Sequence, residues 1–280
     1  MKEFEYNWTT NDNIEIYGKC WLPKTEEPKA IVCLIHGFGE HILRYNHVAK
    51  FFNDNGIGFI GYDQRGHGQT KGKRGVVPSY ADVLYNVSEF LALVNDKFPN
   101  IPMFLYGHSM GGNIALSFLL KEQPLNLKGA IITSPWLRLA SDPPAWQEQI
   151  GKFIGSIIKG FVIPSKLNPP DLSSDLSVGE EYVKDPLVHN KICTALYFGV
   201  KDAGEWNIKN ADNLKTPTLL MHGTADNITS DSASKEFSEN APASLISFKK
   251  WNNLRHEMHN EVTKEEVLKD MLTFIEKELA

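Results

Sequence analysis

No stretch of this sequence reaches the roughly 18 consecutive apolar residues that a membrane-spanning helix requires. Basic residues are not in excess: 29 Lys and Arg stand against 34 Asp and Glu, a formal net charge of −5. That balance gives no footprint for nucleic acid and no polybasic membrane patch. Cysteine is scarce. Cys20, Cys33 and Cys193 are too few and too far apart for a disulfide framework or a zinc site, and Cys33, inside an apolar run, is expected to be a buried free thiol. The opening residues Met1-Lys2-Glu3-Phe4-Glu5-Tyr6-Asn7 lack the apolar core of a signal peptide, so a soluble, cytoplasmic protein is expected. In that setting the sequons at Asn7, Asn86 and Asn227 are chance matches. Long polar tails are missing too. With 42% apolar residues, the 280-residue chain supports one large domain, or one domain with an insertion.

What is present is the stretch Leu105-Tyr106-Gly107-His108-Ser109-Met110-Gly111-Gly112. It reads G-x-S-x-G, with an apolar run of strand composition before it and apolar residues at helical spacing after it. A strand that turns at once into a helix needs little bulk at the corner, and glycines two before and two after the serine provide that. Such a turn lifts Ser109 Oγ out of the sheet and leaves backbone N–H groups free at the helix start. A plain glycine turn is the bland alternative, and the strand–helix context favours a nucleophile.

Around that stretch the pattern alternates. Segments 4–10 and 14–22 read as a hairpin about Asn11-Asp12-Asn13. Buried strands are expected at 30–35, 57–62, 129–133 and 216–221, a further strand at 244–251, and helices at 45–55, 79–98, 232–239 and 263–279. Strand and helix in turn argue for a mostly parallel sheet with helices on both faces. Regularity stops after Ser134-Pro135-Trp136. Residues 137–210, with Pro143-Pro144 and Pro169-Pro170, read as an insertion, leaving 1–136 and 211–280 as the core. An insertion there is the natural place for a lid. Within it Trp146, Ile150, Phe153, Ile154, Ile157, Ile158 and Phe161 fall on one helical stripe, with Lys152 and Lys159 on its polar side. Two readings stay open: a lid helix burying that face on its own domain, or an apolar rim that touches membranes or micelles. Trp146, Ile150, Ile154 and Ile158 are the candidate substrate-binding residues.

A serine hydroxyl needs a base, and the base needs an orienting carboxylate. Catalytic groups in open parallel sheets sit beyond strand C-termini. Asp226 follows the strand 216–221 in His222-Gly223-Thr224-Ala225-Asp226-Asn227, and His256 lies in the loop before the final helix. Asp202, Asp212 and Asp231 fall in the insertion or in helical stretches; His222 is expected to be packed, and His259 is the rival base. For the oxyanion, the backbone N–H of Met110 is one donor and that of Phe38, in His36-Gly37-Phe38-Gly39, is the other. His256-Glu257-Met258-His259 is one residue short of the zinc pattern H-E-x-x-H, and the P-loop pattern around Gly72-Lys73 finds His67 and Arg74 where Gly and Ser/Thr belong. No metal, nucleotide or other cofactor is expected.

Taken together, His36-Gly37-Phe38-Gly39-Glu40-His41 with Arg44-Tyr45, Asp63-Gln64-Arg65-Gly66-His67-Gly68, Gly107-His108-Ser109-Met110-Gly111-Gly112, Ser134-Pro135, Asp185-Pro186-Leu187, His222-Gly223-Thr224-Ala225-Asp226 and His256-Glu257 with His259 and Glu261 resemble the monoacylglycerol lipase and lysophospholipase family of the α/β-hydrolase fold. The resemblance covers nearly the whole chain. It implies an α/β fold with a mostly parallel eight-stranded sheet and an inserted helical cap, a Ser109–Asp226–His256 triad, and backbone donors at Phe38 and Met110. It also implies hydrolysis of a lipid-like ester, a single-chain acylglycerol to fatty acid and glycerol, with lysophospholipids as the alternative substrate. A carboxylesterase or thioesterase for small soluble esters, a serine peptidase, and a ligand receptor on the same scaffold are the competing functions.

Overall fold

The computed structural model describes residues 1–24, 27–122, 127–158 and 160–280. Strands β1 (Lys2–Thr9) and β2 (Glu15–Leu22) form the opening hairpin, turning at Asn13 with a positive φ. They are followed by β3 (Ile31–Ile35), helix α1 (Asn46–Asp54), β4 (Gly58–Tyr62), α2 (Tyr80–Lys97), β5 (Met103–His108), α3 (Met110–Lys121) and β6 (Leu127–Thr133). Next come α4 (Ala145–Ile157), β7 (Val162–Pro164), α5 (Leu176–Lys184), β8 (Lys191–Cys193) and α6 (Thr194–Lys209). The chain closes with β9 (Thr218–Gly223), α7 (Asp231–Asn240), β10 (Ile246–Trp251) and α8 (Lys264–Leu279).

Eight strands lie in one sheet in the order β1-β2-β4-β3-β5-β6-β9-β10. β1, β2 and β4 pair antiparallel, and every other neighbour pair is parallel. The reason is legible in β3. Ile31, Cys33 and Ile35 pack into the core under α2, α3 and α6, while Val32 and Leu34 pack on the other face against α1 and α8. A strand covered on both faces is apolar at every position rather than at alternate ones. β5 runs to His108 for the same cause, leaving Ser109 alone at the corner. Each fully buried aliphatic side chain here contributes about 2 kcal/mol relative to exposure. α2 starts where Ser79 caps it, its Oγ accepting the Asp82 N–H at 3.2 Å.

Residues 137–209 carry more regular structure than their sequence suggests. β7 and β8 pair antiparallel, and at three residues each they are too short to show a period. α6 packs on α3: Asn113 Nδ2 donates to the Val200 carbonyl at 3.0 Å and Ser117 Oγ to Asn207 Oδ1 at 2.9 Å. Helix α4 is different. It has no buried residue, and its outer side presents Trp146 (61% exposed), Phe153 (67%) and Ile157 (66%) to solvent, with Ile150 and Ile158 half exposed. The face turned toward the protein is Gln147, Glu148, Gly151, Ile154 and Gly155. Of the two readings left open for this stripe, partial burial on its own domain holds only for Ile154 and Phe161, and the rest of the stripe faces outward. Close approach at Gly155, where a Cβ would stand 2.4 Å from Thr194 Oγ1, turns the small residues inward and the large ones out. Lys152 lies over the Phe198 ring, and Lys159 is outside the described residues. Among the described residues no helix is long and apolar enough to cross a membrane.

Candidate active site

The turn after β5 is strained. Ser109 has φ 55° and ψ −120°, a region that a residue with a side chain adopts only when its surroundings compel it. They do here. A Cβ on Gly111 would stand 2.0 Å from the Ile35 carbonyl oxygen, and one on Gly107 2.6 Å from that of Gly111. The turn is thus wedged against the end of β3, and Ser109 Oγ projects above the sheet at the N-terminus of α3.

Two loops at neighbouring strand ends meet it. His256 Nε2 lies 2.9 Å from Ser109 Oγ, and His256 Nδ1 lies 2.7 Å from Asp226 Oδ2. Asp226 stands in the turn after β9, and its other oxygen accepts the N–H groups of Ile228 at 2.8 Å and Thr229 at 3.0 Å. Burial would push the Asp226 carboxyl up, but His256 and His222 beside it outweigh that and hold it well below the usual carboxylate range. It is therefore ionised and takes the His256 Nδ1–H, which leaves Nε2 free to accept from Ser109. Burial also acts on His256, lowering its pKa, and is overcome by Asp226, so the imidazole sits above its ordinary value.

The rival histidine is elsewhere. His259 is stacked on Tyr45 with centroids 4.7 Å apart, and burial pushes its pKa down to about 3, so it is a neutral packing residue. Asp231 pairs with Lys250 at 2.7 Å. Two members of the cluster escaped the sequence reading. His222, expected only to pack, lies with Nε2 3.0 Å from Asp226 Oδ2 and Nδ1 2.8 Å from Ser234 Oγ. Thr229 Oγ1 lies 2.9 Å from Asp226 Oδ2 and 3.1 Å from the Ser134 carbonyl. The signal was available in Asp226-Asn227-Ile228-Thr229, since an Asp that accepts N–H groups two and three residues on is an Asx turn. Ser134 adds to the same frame: its Oγ donates to the His256 carbonyl at 2.9 Å.

The loop after β3 flanks the serine, for a Cβ on Gly37 would stand 3.2 Å from Ser109 Cβ. His36 Nε2 accepts the Gln64 N–H at 2.9 Å, which puts the ring proton on Nδ1, 2.7 Å from the Gly37 carbonyl. That bond fixes the peptide plane carrying the Phe38 N–H, a donor with no acceptor among the described residues. Met110 opens α3, where N–H groups have no partner within the helix.

Ser109 and His256 line a cavity of about 720 Å³. Phe38, Trp136, Ile154, Phe161, Ile163 and Phe198 are among its apolar lining residues, and Asn168, Asp171, Tyr182 and Asn227 among its polar ones. Of the four residues in and just after α4 expected to bind substrate, Ile150 and Ile154 line this cavity and Trp146 and Ile158 do not. Among the described residues no group of three or more His, Cys, Asp or Glu could hold a metal ion.

Known proteins resemble this arrangement along its whole length. A family model described as serine aminopeptidase S33 (Hydrolase_4) matches residues 26–263. An uncharacterized abhydrolase domain-containing protein of Dictyostelium discoideum is 35% identical over 98% of this chain, which spans 29% of that longer protein. A monoglyceride lipase homolog of Monkeypox virus is 31% identical over 94% of this chain and 95% of its own. The crystal structure of Paleococcus ferrophilus monoacylglycerol lipase superposes with a TM-score of 0.84 at 26% identity, covering 99% of this chain and 100% of that one. A mostly parallel sheet with this strand order, a family match over most of the chain and full-length similarity to monoglyceride lipases lead to one assignment: the chain belongs to the Hydrolase_4 family of α/β hydrolases and is a carboxylic ester hydrolase.

Proposed function

We propose that the chain hydrolyses the ester bond of monoacylglycerols through an acyl-enzyme on Ser109. The observation that carries this is the hydrogen-bonded line Ser109 Oγ–His256 Nε2, His256 Nδ1–Asp226 Oδ2, at 2.9 and 2.7 Å, opening on a largely apolar cavity. In the reaction Ser109 Oγ attacks the ester carbonyl carbon and its proton passes to His256 Nε2. The carbonyl oxygen becomes an oxyanion facing the N–H groups of Phe38 and Met110. Collapse breaks the ester C–O bond, and His256 returns the proton to the departing glycerol oxygen. Water then gives a proton to His256 and attacks the acyl carbon; the fatty acid leaves as Ser109 recovers its hydrogen. Asp226 stays ionised throughout and stabilises the imidazolium.

Substrate class follows from the cavity. Its size is that of a site for one ligand of moderate length, hence a single acyl chain and a small head. Glu40, Asp142, Glu148, Asp171 and Glu257 line it against one lysine, Lys166, so an uncharged head group suits it better than the phosphate of a lysophospholipid. The aminopeptidase in the family's description would need a free carboxylate for a substrate's ammonium group. Glu40 and Glu257 are both engaged by Arg44, Asp142 and Glu148 by Lys201, and Asp171 accepts from Asn168, which favours the ester. Residues 137–210 act as the cap over this cavity, and the outward stripe of α4 is its contact with a membrane or micelle surface, bringing lipid to the cavity.

Labelling by a fluorophosphonate, with Ser109→Ala alongside, is the first test; an unlabelled native protein ends the proposal. Rates on monooleoylglycerol, lysophosphatidylcholine, a short nitrophenyl ester and a peptide amide then separate the classes. Faster turnover of the lysophospholipid or of the amide than of monooleoylglycerol would replace the substrate named here.

A further inference from the structure

Next to Ser109 lies a buried ionic cluster that the reaction sequence above leaves unused. Arg44 places Nη1 2.6 Å from Glu257 Oε1 and Nη2 2.8 Å from Glu257 Oε2, while Nη1 also reaches Glu40 Oε2 at 2.8 Å. All three are shielded: the side chains of Glu40 and Glu257 are 3% exposed and that of Arg44 11%. The Tyr182 ring covers the guanidinium at 4.9 Å. Burial would push the Glu257 carboxyl up, but the Arg44 guanidinium holds it down at about 2, so it is an ion. Burying two carboxylates on one guanidinium is a poor way to gain stability, since desolvation cancels most of the attraction. What the cluster does achieve is a connection.

Its two ends fall on the two loops that the chemistry needs. Glu40 Oε1 accepts the Gly37 N–H at 2.6 Å and the Tyr45 hydroxyl at 2.7 Å, and Gly37 precedes Phe38. Glu257 directly follows His256, and its Oε2 also accepts from Asn260 Nδ2 at 2.7 Å. These loops belong to different strand ends, after β3 and after β10, and β5, β6 and β9 stand between those two strands in the sheet, so no direct ladder contact joins them. A planar guanidinium with five donors in a fixed fork is suited to holding two carboxylates at a set distance and angle.

We propose that Arg44 is a positioning residue that, through Glu40 and Glu257, holds the loop bearing the Phe38 donor in register with the loop bearing His256. It rests on the Ser109 reaction proposed above. The bridge touches no reacting atom. It sets the geometry between the donor that receives the oxyanion and the base that moves the proton, so its loss is felt in the transition state and little in substrate binding.

The test compares native enzyme with Glu40→Gln, Glu257→Gln, the double variant and Tyr45→Phe. Each is assayed for kcat and KM on monooleoylglycerol, for inhibition by an alkyl trifluoromethyl ketone, whose hemiketal oxyanion mimics the intermediate, and for Tm. Glutamine at 40 can still accept from Gly37 but faces Arg44 with an amide donor, which severs the bridge alone. Each single glutamine variant is expected to lower kcat about tenfold and weaken the ketone by the same factor, with KM within about twofold. The double variant is expected to lose no more than about twice what one single loses, because both act through Arg44. Losses that multiply in the double variant, a kcat within about twofold of native, or a fall in Tm with no parallel weakening of the ketone would each overturn the bridge. If the glutamine variants do not fold, Tyr45→Phe, which keeps every charge, decides: a kcat about threefold lower at unchanged KM supports it, and a native kcat overturns it. A native protein without ester hydrolysis would sink the reaction itself, a result distinct from active glutamine variants.

Discussion

The covering segment over the sheet is two unlike halves. From Pro169 to Cys193 it is bonded into the site: the Glu257 N–H donates to the Leu172 carbonyl at 2.7 Å, Ser173 Oγ to the Asn260 carbonyl at 3.0 Å, and His189 N–H to the Gly39 carbonyl at 3.0 Å. Glu261 accepts the Ser174 N–H at 3.1 Å and the Arg255 N–H at 2.7 Å, tying this half to both sides of the His256 loop. Helix α4, by contrast, is held by the contacts of Gly151 and Gly155 with Phe198 and Thr194, and by Glu148, which accepts from Tyr197 at 3.0 Å and Lys201 at 2.5 Å. Few buried contacts mean a low free energy of local opening. Within the proposed cap, one half is thus a wall bonded to the site and the other a side attached by few contacts. Damage to the first should appear in chemistry, and damage to the second in delivery of substrate.

The sharpest break falls on the site that the wall borders. Ser109→Ala is expected to cost about 10⁶ in kcat, measured on a nitrophenyl ester, with no loss of folding. Asp226→Asn comes next, at about 10⁴ in kcat, because the imidazole loses its orienter and its tautomer. Its pH profile carries a second signature. The base must be neutral, and Asp226 holds the His256 pKa above its ordinary value, so kcat/KM in the native enzyme falls as pH drops through that raised value. With the carboxylate gone, burial remains and lowers the imidazole pKa, so the acidic limb moves to lower pH. A limb that stays in place would remove Asp226 from its role.

Smaller effects separate the halves. Glu261→Ala leaves the Arg255 and Ser174 N–H groups without their acceptor and should cost about 1–3 kcal/mol in denaturant unfolding. Phe153→Ser with Ile157→Ser is the opposite case: both side chains already face water, so stability should change by less than about 0.5 kcal/mol. Turnover of monooleoylglycerol in vesicles should nevertheless fall severalfold while a short soluble ester is unaffected. Equal losses on both substrates would show that α4 is as much a wall as the other half.

Much of this was legible beforehand, for physical reasons that differ by residue. β3 and β5 could be read because double-sided burial makes every position apolar, and Asp226 and His256 because each lies past a strand end on the way to a helix. The orientation of α4 was not legible. Periodicity defines an apolar stripe without saying which way it looks, and Gly151 and Gly155, which decide the matter, carry no hydropathy signal of their own. His222 was hidden for another reason: a histidine at the end of a buried strand has the same sequence context whether it merely packs or binds a carboxylate four residues on.

The turn at Ser109 has a consequence for how this protein tolerates change. A residue at φ 55° with a side chain stores of the order of 1–3 kcal/mol of backbone strain, and glycine at the same place stores almost none. Ser109→Gly should thus unfold at a higher temperature than the native chain, by the equivalent of about 1 kcal/mol in a calorimetric scan, while losing all hydrolysis. The corner that makes the hydroxyl reachable is thus one that the fold would hold more firmly without it.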